Sequence, residues 1–203
     1  MSIADRKAKE KEELKSLILS AAKKLFIEKG VDCTTVRNIA DEIDYSVGTI
    51  YVYYKDKNEI LYEINSLGFQ QLREQMLSSL AIKHPMEKLK SILLTYIDFA
   101  MNNKELYDLM FIMNAPMLYL EGSEHKEWCQ GKGAYGVLMD VMKECVDFGC
   151  FNKDQSIDSL SLSFWGLAHG MVSLCIRKRL TAIDYPEDVI VDVINNFFKL
   201  INK

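Results

Sequence analysis

From residue 34 to 57 the chain reads TTVRNIADEIDYSVGTIYVYYKDK, and its apolar positions predict two short helices joined by a tight turn. Val36, Ile39, Ala40 and Ile43 recur at i, i+3, i+4 and i+7, one buried stripe at helical period, with Thr34 or Thr35 available as N-cap. Asp44 and Tyr45 break the stripe. Ser46 then offers a hydroxyl to cap a second helix over 47–54, in which Ile50 and Tyr54, four apart, are the buried anchors. Upstream, Leu14, Leu17, Ile18, Ala21, Ala22, Leu25 and Phe26 trace a longer stripe that stops at Gly30, a natural residue for the position just past a helix end. Downstream, Asp56 and Glu59 have the D-x-x-E spacing of a capping box. They open an amphipathic helix through Ile60, Leu61, Ile64, Leu67, Leu72, Met76 and Leu80, more than twenty residues long.

The remainder is helical as well. Pro85 opens a helix over 86–101 whose buried face is Leu89, Ile92, Leu93, Tyr96, Ile97 and Ala100. A short helix spans 105–113 and ends at Pro116. Residues 119–123 read as loop, and a helix over 124–148 stops at Gly149. The stretch 156–179 is apolar nearly all round and has to be covered on more than one side. Pro186, with Glu187 and Asp188 in the first turn, starts a last helix with a broad face of Val189, Ile190, Val193, Ile194, Phe197, Phe198 and Ile201. There is no internal repeat, low-complexity tract or Pro/Gly linker.

The helix over 47–54 is composed for something other than helix stability. Gly48 costs about 1 kcal/mol against alanine, and Thr49, Tyr51, Val52 and Tyr53 are β-branched or aromatic. Small residues at its start permit close approach to a major-groove floor, and hydroxyls reach base edges or phosphates. A helical hairpin whose tyrosines merely pack is the alternative on spacing alone.

The segment from Ile18 to Leu61 resembles the DNA-binding domain of the TetR (tetracycline-repressor-like) family of bacterial regulators. The likeness rests on A-x-x-L-F at 22–26, Gly30, T-x-x-x-I-A at 35–40, S-x-G-T-I-Y-x-Y-Y at 46–54, and Lys55 and Lys57. It covers about a fifth of the chain. The resemblance implies an all-α protein of about nine helices: a three-helix helix-turn-helix domain over 1–55, then a helical ligand-binding and dimerisation domain over 56–203. It further implies a double-stranded DNA operator, a small-molecule effector and a homodimer through the last two helices. The W-x-x-x-H-G run at 165–170 is similar to one in some of the family's C-terminal domains. The reading then expects Thr49, Tyr51, Val52 and Tyr53 at the groove or its walls, with Val47 and Gly48 at the small N-terminal end. Arg37, Lys55 and Lys57 are expected on phosphate, and Thr35 and Ser46 at caps touching the backbone. Val47 and Val52 stand where this family often has a basic residue or histidine, so readout leans on thymine methyls or DNA shape.

Charge changes the picture little. The formal net charge of −4 looks unsuited to DNA, but residues 1–60 carry 11 basic against 11 acidic side chains, and the remainder 14 against 18. The acidity lies outside the reader. Arg6, Lys7, Lys9 and Lys11 alternate with acids near the start and read either as a solvated helix beginning or as an arm toward the minor groove. Five scattered cysteines without C-x-x-C spacing argue against a disulfide frame or a zinc site; buried thiols are the default and redox sensing the alternative. With no signal peptide and no run of 18 apolar residues, the expected location is the cytoplasm, with no membrane association.

Catalytic and cofactor-binding motifs for phosphate, dinucleotide, zinc and serine chemistry are absent, and His84, His125 and His169 lie far apart in sequence. No catalytic residue, metal or cofactor is expected; a helical scaffold with a non-reading head, or a small helical enzyme, are the competing classes. The second domain concentrates methionines and aromatics. Phe99, Met101, Tyr107, Met110, Phe111, Met113, Met117, Tyr119, Trp128, Tyr135, Met139 and Met142 read as ordinary core or as the lining of an adaptable apolar pocket, with Phe99, Phe111, Met113, Tyr119, Trp128, Tyr135, Met139 and Met142 as the expected ligand contacts. His169, beside Trp165, is its polar handle or a satisfied core histidine. An effector there would shift the long helix from Asp56 and separate the two heads.

Overall fold

A computed structural model describes residues 2–113, 129–184 and 186–201. Among them are nine α-helices and no strand: α1 Ile3–Lys29, α2 Val36–Glu42, α3 Val47–Tyr53, α4 Lys57–Leu77, α5 Pro85–Asn102, α6 Lys104–Phe111, α7 Cys129–Phe148, α8 Ile157–Ile176 and α9 Pro186–Ile201. One 3-10 turn, Ser78–Ala81, follows α4. The predicted loop at 119–123, Pro116 and the start of the helix over 124–148 lie outside the described residues. The chain packs as two compact units, residues 1–67 with 108–127, and residues 68–107 with 128–203. The division falls inside α4, after Leu67, and inside α6, after Tyr107.

In the first unit the helix ends are tied locally. Ser2 and Asp5 form a capping box at α1, and Gly30, at φ 82°, closes its far end by donating its N–H to the Phe26 carbonyl. The stripe of α1 is buried from Ile18 to Phe26, but Leu17 is 44% exposed, because the helix runs past the edge of the core it packs on. Of the two threonines offered as caps, Thr35 takes the role, in a reciprocal box with Asn38. Thr34 is fully buried, and its hydroxyl donates to the carbonyls of Gly30 (2.8 Å) and Leu25 (3.2 Å), sealing the end of α1. The break after α2 is a left-handed residue, Asp44 at φ 56°, followed by a 3.0 Å bond from Tyr45 N–H to the Ala40 carbonyl. At α4 the box is displaced by one residue. Asp56 accepts from Asn58 and Glu59, whereas Glu59 takes the N–H of Lys55 rather than that of Asp56. Further along α4, buried Asn65 donates to the Leu109 and Met110 carbonyls at 3.1 and 3.2 Å and so satisfies the last turn of α6.

In the second unit α5 is the central helix, packed against α7, α8 and α9. Its stripe of Leu89, Ile92, Leu93, Tyr96, Ile97 and Ala100 is buried as the periodicity requires, and His84 caps it ahead of Pro85. Gly149, at φ 89°, ends α7; its N–H and that of Cys150 reach back to the carbonyls of Val146 and Cys145, a Schellman closure. Cys33, Cys145, Cys150 and Cys175 are free thiols, and burial pushes Cys145 up to about 12. α8 is covered on more than one side, as its composition requires, by α5, α7 and α9, but not all round. Phe164, Ala168, Val172 and Cys175 are buried, while Leu162 and Leu174 stand 57% and 39% exposed. By length and composition α8 is the one helix among the described residues apolar enough to cross a membrane, at mean hydropathy 1.4, but its buried face packs on α5, α7 and α9.

Candidate nucleic-acid interface

The placement of α3 follows from two side chains. Ile50 and Tyr54, 0% and 2% exposed, hold the helix to the first unit. Burial, and next Glu63, raise the Tyr54 phenol well above its ordinary pKa, and the Lys15 amine lies 5.7 Å from its ring centre. With one side fixed, the helical period turns Gly48 and Val52 outward. Val52 is 78% exposed, Tyr51 is 55% exposed, and Val47, Thr49 and Tyr53 are half-buried on the flanks. Ser46 caps the first turn, its hydroxyl accepting from the Thr49 N–H at 3.1 Å and lying 2.9 Å from the Thr49 hydroxyl. A Cβ built on Gly48 would meet nothing closer than the Ser46 hydroxyl at 3.6 Å, an ordinary contact. The fold gives no reason for that glycine.

The basic residues divide. Arg37 on α2 and Lys55 after α3 are exposed. Lys57, expected on phosphate, turns its amine to the Val31 carbonyl at 2.6 Å, tying the start of α4 to the loop after α1. The Thr35 hydroxyl is engaged with Asn38.

The residues considered for ligand binding do not all come together. Phe111 and Met113 belong to the first unit, half-buried; Tyr119 and Trp128 lie outside the described residues. In the second unit Phe99 and Met142, 1% and 0% exposed, are packing residues of α5 and α7. Tyr135, Met139, Trp165 and His169 are half-buried. Tyr135 and Trp165 have ring centres 5.7 Å apart, and Trp165 meets His169 edge-on at 5.9 Å. Two further tyrosines complete the cluster, Tyr96 from the buried stripe of α5 and Tyr107 from the methionine and aromatic concentration: their hydroxyls lie 2.8 and 2.9 Å from His169 Nδ1. Phenols donate at neutral pH, so this network fits the tautomer with its proton on Nε2. Burial, then the charge of Arg177, lowers the His169 pKa, and burial raises that of Tyr96. The available signal was a tyrosine inside an apolar stripe, since a buried phenol needs a partner.

A capped helix, a left-handed turn and a second helix held by two anchors with its other side bare form a helix-turn-helix, and on an all-helical body that is the architecture of a DNA-binding transcriptional regulator. Residues 18–64 match the group described as bacterial regulatory proteins, tetR family, and residues 89–195 match the Tetracyclin repressor-like C-terminal domain. The second match alone takes in more than half of the chain, which belongs to the TetR family of helix-turn-helix transcriptional regulators.

Among its relatives, the HTH-type transcriptional regulator HbdR of Aromatoleum sp. (strain CIB) is 37% identical over 79 residues, spanning 38% of this chain and 34% of HbdR. The HTH-type transcriptional regulator SAUSA300_2515 of Staphylococcus aureus (strain USA300) is 24% identical over 177 residues, 82% of this chain and 89% of that protein. The TetR family regulator PfmR from Thermus thermophilus superposes with a TM-score of 0.65 at 23% identity, covering 91% of this chain and 96% of PfmR. The fatty acid degradation regulator FadR from Bacillus halodurans gives 0.73 at 17% identity, covering 92% and 93%. At these identities the two structures share the fold.

Proposed function

We propose that this chain is a homodimeric, ligand-responsive repressor of a palindromic operator, with residues 1–55 reading DNA and 56–203 binding effector and partner copy. The observation that carries the reading is α3: anchored through Ile50 and Tyr54, it leaves Gly48, Tyr51 and Val52 bare with no packing duty. Thr49 and Tyr53 flank the groove-facing side, Arg37 and Lys55 meet phosphate, and Thr35 and Ser46 hold the two helix starts beside the backbone. Two heads related by a two-fold axis would address successive major grooves about 34–36 Å apart. Support for the dimer is the apolar surface left on the last two helices, where Leu162 and Leu200 are 57% and 67% exposed. Pairing α8 and α9 with their copies would cover Leu162 and Leu200.

The effector is a small apolar or amphipathic molecule bound in the second unit beside Trp165, Tyr135 and His169. It acts through α4, the helix that runs from the head into the second unit, and loss of head spacing releases the operator. Asn65, which ties α4 to the end of α6, is a point where such a displacement is felt. Selection of duplexes from a random pool by the purified protein tests the DNA reading; a palindromic consensus is expected, and recovery of unselected sequence would refute it. Sedimentation tests the dimer. Ligand coupling fails if a molecule shown by calorimetry to bind leaves operator affinity unchanged at saturation.

A further inference from the structure

An open groove of about 710 Å³ lies within the first unit, between the N-terminal half of α1 and the side of α3. Lys7, Lys11, Leu14 and Leu17 form one wall, and Val52 and Tyr53 stand on the other. The α1 wall is unusual because it does not belong to the core. From Ile3 to Glu13 every residue of α1 is exposed, about three turns of helix, and Leu14 and Lys15 are half-buried ahead of the first buried residue, Ile18.

The charges along that rod sort into two groups. Arg6 pairs with Glu10 at 3.4 Å and Lys9 with Glu13 at 3.6 Å, which neutralises the two acids that border the groove. Lys7 and Lys11, four apart and therefore on one face, hold no ion pair among the described residues. The groove thus carries two lysines on one face of α1, their Cβ atoms about 6 Å apart, with leucine side chains behind them and two recognition-helix residues opposite. A strand lying along the outer side of α3 has to pass beside it.

We infer that this groove seats the sugar–phosphate backbone of the operator, with Lys7 and Lys11 on phosphates of one strand and Leu14 and Leu17 against deoxyribose. The inference rests on the proposed DNA-reading role of α3 and enlarges the footprint beyond the two helices of the motif. Such contacts are independent of base sequence. They contribute affinity and salt dependence, and leave discrimination to α3.

The test uses the full-length protein and its selected duplex, with binding followed by fluorescence anisotropy between about 50 and 200 mM salt. In K7Q/K11Q the slope of log affinity against log salt is expected to fall by about 0.9 for each lysine in each head, with operator and unrelated duplex weakened by the same factor. The equal-charge control K83Q/K153Q, at two exposed lysines outside the groove, is expected to keep the wild-type slope. Circular dichroism checks that both variants keep their helix content. A K7Q/K11Q slope equal to that of wild type, or matched by the control, overturns the groove assignment while the DNA-reading proposal stands. Failure of the wild-type protein to select any duplex overturns both.

Discussion

In the first unit, with Lys57 and Asn65 as the exceptions, the polar side chains that shape the reading head act on backbone groups a few residues away: Ser2 and Asp5, Thr35 and Asn38, Ser46 and Thr49, Asp56 and Glu59 all close helix ends. In the second, the polar contacts that organise packing join distant parts of the chain. Tyr107 and His169 are 62 residues apart, and Tyr96 and His169 are 73. The contrast follows from what each unit can bury. Seven-residue helices such as α2 and α3 have little apolar surface and need their ends satisfied individually. The longer α5, α7 and α8 are fixed by packing, and there a buried hydroxyl must find a partner across the core. Removing a polar group is therefore a local injury in one unit and a tertiary one in the other.

The largest expected effect is nonetheless on an apolar anchor. Ile50→Ala should cost about 3 kcal/mol, read as a lowered denaturant midpoint, and should abolish operator binding because α3 loses its seat. Tyr107→Phe comes next. It removes one buried hydroxyl from the network around half-buried His169 and should cost about 1–2 kcal/mol without altering DNA affinity in the absence of effector; a loss of DNA binding at unchanged stability would break the contrast between the units. Ser46→Ala should cost about 1 kcal/mol through the lost cap. Gly48→Ala should act in the opposite direction, stabilising the protein by up to about 1 kcal/mol while weakening operator binding. An unchanged Kd would remove Gly48 from the interface.

The smallest expected effect concerns pH. The folded-state pKa of His169 is lowered, chiefly by burial and secondly by Arg177, so the unfolded chain takes up a proton first. This contribution to stability is complete above the unfolded value of about 6.5 and is lost as pH falls from there through the lowered folded value. His169→Gln should flatten that part of the profile in denaturation midpoints measured between about pH 8 and pH 5.

Much of the first unit was legible because its determinants are local. The caps at Thr35 and Ser46, the anchors Ile50 and Tyr54 and the end at Gly30 each follow from spacing within a few residues. The contact of Lys57 was illegible for the complementary reason: its amine answers a carbonyl 26 residues earlier, which no periodicity announces. The second unit yielded its helix boundaries at His84–Pro85, Gly149 and Pro186, where punctuation is local. It did not yield Tyr96 and Tyr107 as partners of His169, since that pairing exists only after α5, α6 and α8 have assembled. The same limit applies to the N-terminal charges. Their alternation favoured a solvated helix start, and did not divide Arg6 and Lys9, which are paired, from Lys7 and Lys11, which hold no ion pair among the described residues.

The bare side of α3 has a consequence for how this protein changes over generations. Val52 and Gly48 support no neighbour and close no cap, so replacing them leaves the scaffold nearly as stable as before. On the proposed reading, changes at these two positions would alter what the head recognises while the anchors, caps and body stay as they are.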